Sequence, residues 1–104
     1  MLIVTTNSVP GRDIGQVFGL VSGAVITSKN VGKDIGAGLK SLVGGELKSY
    51  TKMMDEARQE ATARMVAEAE RVGADAIIAT RIQAGQVAGG AAEIYAYGTA
   101  VTLT

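Results

Sequence analysis

Residues 46–73 read ELKSYTKMMDEARQEATARMVAEAERVG, and the period of this stretch decides the fold. Leu47, Tyr50, Met54, Ala57, Ala61, Met65, Ala69 and Val72 recur at steps of three or four. At 3.6 residues per turn, such side chains return to one face of a helix. The opposite face carries Lys52/Glu56, Glu60/Arg64 and Arg64/Glu68, each four apart. Such pairs suit a solvated surface and add about 0.2–0.5 kcal/mol apiece. Gly73 supplies the residue that ends a helix with positive φ. The stripe is mostly alanine toward its C-terminal half, so the surface beneath it must come close.

Outward from the helix, the flanks read as strands. Ala74–Gln83 is one strand, Gly85–Gly90 the loop of a hairpin, and Ala92–Leu103 the last strand. On the N-terminal side, Gly44-Gly45 breaks a glycine-rich stretch, Asn30–Gly45, in which Ile35, Leu39 and Leu42 or Val43 suggest a short irregular helix. Gly36 and Gly38 each weaken it by about 1 kcal/mol relative to alanine. Gln16–Ser28 is β-rich and carries no charge until Lys29. Leu2–Thr5 reads as a short strand, followed by a turn at Asn7-Ser8-Val9-Pro10-Gly11. The expected fold is α+β: a two-layer, mainly antiparallel β-sheet packed on one long helix plus a short Gly-rich helix. No repeat or linker divides it, so residues 1–104 form one domain.

Composition narrows the function classes. Ten basic and ten acidic residues give zero formal charge. With no basic cluster, a nucleic-acid or anionic-membrane surface is not expected. The chain has neither Cys nor His, which removes thiolate chemistry together with the commonest general base and metal ligand. Met1–Asn7 lacks the basic leader and apolar run of a signal peptide. No stretch reaches the roughly 18 apolar residues of a membrane helix, so a cytoplasmic protein is expected.

Fifteen of the twenty charged residues lie between Lys29 and Arg71, which leaves the strands almost bare of charge. One helix layer covers one sheet face. The face with Gly19, Gly23, Ala96, Gly98 and Ala100 matches the alanine stripe. The second face, with Phe18, Leu20, Ile26, Tyr95, Tyr97 and Val101, is then uncovered within one chain. These six residues are the candidates for an oligomer interface.

Several stretches resemble a known family. Gly73-Ala74-Asp75-Ala76-Ile77-Ile78 follows the long helix, and Glu93-Ile94-Tyr95-Ala96-Tyr97-Gly98-Thr99-Ala100-Val101 forms the last strand. Together with Thr5-Thr6-Asn7 and Gly19-Leu20-Val21-Ser22-Gly23, they resemble the YbjQ-like family of uncharacterised bacterial and archaeal proteins. The resemblance covers essentially the whole chain. It implies a dodecin-subunit-like fold assembled as a ring-shaped homopentamer, with a small ligand or metal ion held in the ring. The family's heavy-metal-binding label points to no ligand residues in this sequence, and soft metals favour the thiolate and imidazole it lacks.

Other patterns read more simply as structure than as chemistry. Gly32-Lys33-Asp34-Ile35-Gly36-Ala37-Gly38 has Asp34 where a phosphate-binding P-loop needs Ser or Thr. Gly36–Ser41 misses the third glycine of a dinucleotide fingerprint. Glu46, Asp55, Glu56, Glu60, Glu68 and Glu70 offer oxygen ligands for a hard cation, but interleaved Lys and Arg mark a solvated face. Arg81 and Glu93 are the charges nearest the strands, and neighbouring strands bring them toward an ion pair or a polar site. The alternative to a self-assembling domain is an enzyme whose intersubunit site uses Glu93, Arg81 and a tyrosine. Asp75 reads as a turn cap between helix and strand. Tyr95 and Tyr97 share a face suited to interface packing or to stacking a planar ligand. Ser22, Thr27, Ser28 and Ser41 have no histidine to activate them, and no motif joins them to Lys29 or Lys40.

Overall fold

The computed structural model describes residues 1–26, 45–87 and 91–104, with the backbone alone at 45–50. The short Gly-rich helix expected within 30–45 and the loop centre at 88–90 lie outside the described residues. The elements are β1 (Leu2–Ile3), β2 (Ile14–Ile26), α1 (Gly45–Arg71), β3 (Ala76–Gln86) and β4 (Ala92–Leu103). The strands form one mixed sheet in the order β1-β3-β4-β2. β4 pairs antiparallel with both β2 and β3, and β1 runs parallel to β3. The α+β, helix-on-sheet architecture expected from the sequence is the one observed. β3 extends three residues beyond its expected end.

α1 lies over β2 and β4 and barely reaches β3. Its buried stripe is Ala57, Ala61, Met65 and Ala69, flanked by half-buried Met54 and Val66. Val72, expected in the stripe, is exposed. The helix stops as Gly73 predicts. Gly73 has φ 85°, its N–H donates to Glu70 O, and Ala74 N–H reaches back to Ala69 O, both at 3.1 Å. This is a Schellman pattern, which satisfies carbonyls the helix end leaves open.

The helix stripe packs on Val21, Ile77, Ile94, Ala96 and Ala100. Gly23 sits directly beneath it. A Cβ there would lie 2.3 Å from Ala61 O and 2.5 Å from Met65 N, so only glycine allows this approach. Dense packing of small residues brings the two layers together.

Three irregularities bend the sheet on either side of β4. In β2 the register shifts between Ile14 and Val17 and again between Val17 and Gly19, where Phe18 is the extra residue. In β3 it shifts between Ile78 and Arg81, where Ala79 adopts φ 52°. Such bulges insert an unpaired residue and increase the local twist. The β3 bulge also presents backbone donors to the N-terminal chain: Ala79 N–H donates to Thr6 O and Thr80 N–H to Val4 O.

Candidate functional site

The candidate site is the second face of the sheet, turned away from α1. Cross-strand register assigns it Leu20, Ser22, Ala24 and Ile26 on β2, opposite Thr99, Tyr97, Tyr95 and Glu93 on β4. On β3 it carries Arg81, Gln83 and Gly85, opposite Tyr97, Tyr95 and Glu93.

This face has two halves. At one end the chain covers itself: Ala76, Ile78 and Val101 are buried beneath Val4, Val9 and Leu103. A turn at Pro10-Gly11 folds the N-terminal chain back, with Arg12 N–H donating to Val9 O at 3.1 Å. Pro at the first central position and Gly11 at φ 78° suit a type II turn. At the other end Leu20 is 72% exposed and Ile26 62%. Beside them the half-buried rings of Tyr95 and Tyr97 stack at 6.0 Å between centroids and 23° between planes. The Tyr95 hydroxyl donates to Gln83 Oε1 at 2.8 Å. Gln83 belongs to no sequence motif, and only the parity of β3 marks it for this face.

Of the six expected interface residues, Leu20, Ile26, Tyr95 and Tyr97 meet on the open half of this face. The other two require correction. Phe18 packs toward α1, because the bulge between Val17 and Gly19 reverses the side to which it points. Val101 does lie on the second face but is 0% exposed, roofed by the chain's own N-terminal segment. The expected approach of Arg81 to Glu93 also fails. Arg81 pairs with Tyr97 and Glu93 with Gly85, roughly 13 Å apart along β4 at the usual rise per residue. Arg81 instead donates to the carbonyls of Thr5 at 2.9 Å and Thr80 at 2.8 Å, bracing the N-terminal segment.

Asp75 is more than a turn cap. Its carboxylate accepts from Leu103 N–H at 2.9 Å, and its own N–H donates to Val101 O at 2.9 Å. These bonds pin the start of β3 to the end of β4. On α1, Glu60 pairs with Arg64 at 3.2 Å and Asp55 with Arg58. Among the described residues, no group of three or more Asp or Glu could hold a metal ion, and no helix is long and apolar enough to cross a membrane. The glycine-rich candidates Gly32–Gly38 and Gly36–Ser41, together with Thr27, Ser28 and Lys29, lie outside the described residues.

Comparison with known proteins follows the same outline. A family model described as "Putative heavy-metal-binding" matches residues 1–104. The donor set does not fit a soft metal, since the chain contains neither thiolate nor imidazole. A UPF0145 protein of Clostridioides difficile (strain 630) is 58% identical, covering 99% of this chain and 92% of that protein. One from Clostridium perfringens is 55% identical over 97% of this chain and 95% of its own length. Neither name states an activity. A crystal structure of a protein of unknown function from Pediococcus pentosaceus, assigned to the DUF74 family, has the same fold. Its TM-score is 0.66 at 18% identity, covering 100% of this chain and 98% of that one. The chain belongs to the YbjQ family, whose relatives found here carry the name UPF0145.

Proposed function

We infer that this protein is a non-catalytic, self-assembling domain of the cytoplasm, a homopentamer as its family resemblance implies. In this reading, copies of the chain bury the open half of the second sheet face against one another. One observation carries it: Leu20 and Ile26 stand exposed beside Tyr95 and Tyr97 on a sheet face whose other half is already dry. Large apolar side chains exposed on one sheet face suit a protein contact, and tyrosine is enriched in such contacts. A second copy is the economical partner, because most oligomers of this kind are symmetric assemblies of one chain. Among the described residues, the face offers no basic cluster that would suit nucleic acid or an anionic membrane. No soft-metal role is carried over, since the chain has neither thiolate nor imidazole.

Light scattering after size exclusion, with native mass spectrometry, tests the reading. Five copies per particle are expected, and the same spectrum reports any small molecule retained. A monomer at micromolar concentration would end it.

A further inference from the structure

Among the described residues, the sheet ends on two edges that no strand covers, and the two match. β2 is the terminal strand, and its 13 residues include neither a charged side chain nor proline. After the bulge, Gly19 to Ile26 runs in unbroken register with β4. An edge strand of this kind templates pairing with another chain, and proteins ordinarily blunt it with lysine, proline or a short length. On the opposite side, β1 pairs only with Ala76 and Ile77. The N-terminal backbone reaches β3 no further than Thr80, whereas β3 continues to Gln86. Among the described residues, no strand lies beside its last six on the side away from β4.

We propose that Ser22–Ile26 of β2 pairs in parallel with Ile82–Gln86 of β3 in a second copy, joining the two sheets edge to edge. This rests on the self-assembly inferred above and names the contact that makes it. The backbone groups are aimed correctly. The Ala24 carbonyl accepts from the Arg64 guanidinium at 2.6 Å, so it points away from β4. Antiparallel pairs alternate between bonded and unbonded positions, so Leu20, Ser22 and Ile26 share that outward direction. Carried across β4, the same alternation turns Gln83 inward and leaves Ile82, Ala84 and Gln86 facing out. The Ala24 oxygen has a second lone pair for an incoming strand.

Level and direction agree as well. Ile26, Glu93 and Gly85 lie in one row across the sheet, as do Leu20, Thr99 and Ile78. The open part of β3 therefore stands level with the C-terminal half of β2. Both strands run antiparallel to β4 and hence parallel to each other, so a neighbour displaced across the sheet meets β2 with a parallel β3. Ile82, 47% exposed at the mouth of a groove with Asp55, Arg58 and Thr62, then joins the row of Val21, Gly23 and Val25 beneath the neighbour's α1. Two unlike edges make a head-to-tail contact, and such contacts close into rings. A ring with an odd number of subunits needs one.

Ser22→Pro and Ala84→Pro each remove one outward N–H without touching a bond to β4, and Ser22→Ala keeps the N–H. Native mass spectrometry on folded variants, checked by circular dichroism, should show the wild type and Ser22→Ala assembled. Both proline variants should be monomeric. Amide exchange in the wild type provides a readout without substitution: the Ile82, Ala84 and Gln86 N–H groups should be protected in the assembly at least tenfold over the monomer. Proline variants that assemble like the wild type, or amides at 82, 84 and 86 that exchange freely, overturn edge pairing while self-assembly stands. A monomeric wild type overturns both readings.

Discussion

The two faces of the sheet solve the same problem with opposite materials. Under α1 the close approach is made by Gly23, Ala96 and Ala100 among Val21, Ile77 and Ile94, and the helix answers with Ala57, Ala61 and Ala69 around Met65. Away from α1 the same strands present Leu20, Ile26, Tyr95 and Tyr97, and the chain covers only the end near Val101. Small side chains allow backbones to approach until little room remains between layers. Large ones on an open surface gain little until something lies over them. The contrast separates what stabilises the subunit from what is left for a partner.

The largest effect should come from crowding the closed face. Gly23→Leu pushes atoms into the backbone of Ala61 and the amide of Met65, which cannot yield without moving α1. A loss of about 4 kcal/mol, or failure to fold, is expected in urea denaturation. Unchanged stability would show that the layers are less close than described. Emptying that face should cost somewhat less. Met65→Ala deletes the largest side chain of the stripe at a fully buried position, and about 3 kcal/mol should be lost.

Removing the pin between β3 and β4 is a smaller change. Asp75→Ala leaves Leu103 N–H without its carboxylate, for a loss of about 1–2 kcal/mol. Asp75→Asn, which keeps an acceptor oxygen, should recover part of it. The open face should respond least in folding. Leu20→Ser is expected to change subunit stability by no more than about 0.5 kcal/mol, yet to reduce the mass of the particle in light scattering. A Leu20→Ser protein that is destabilised as much as Met65→Ala, with unchanged mass, would erase the distinction between the faces.

Some of this is legible in the residues, and some is not. The α1 stripe from Met54 to Ala69, the stop at Gly73 and the bounds of β4 follow from local periods and one glycine. The alternation along β4 correctly separates Ile94, Ala96, Gly98 and Ala100 from Tyr95, Tyr97 and Val101. Alternation misleads at Phe18, because one inserted residue reverses the side to which it points. The local mark of that bulge is Gly19, at φ 105°, and a glycine within a strand fits a bulge and a close backbone approach equally well. The separation of Arg81 from Glu93 has the same origin, since register is a property of two strands together.

By itself, the sequence determined a long helix with one alanine-lined side, strands nearly free of charge, and a chain without soft-metal donors. These are consequences of residue type and of spacing within a few turns or a single strand. The tertiary structure alone decided that Val101 is roofed by Val4 and Val9, that Arg81 braces Thr5, and that β3 outruns the N-terminal chain beside it. Each of those depends on residues more than seventy positions apart meeting at a particular register. Local periodicity has no term for such a meeting, because the free energy that selects it arises only when the distant segments are already side by side.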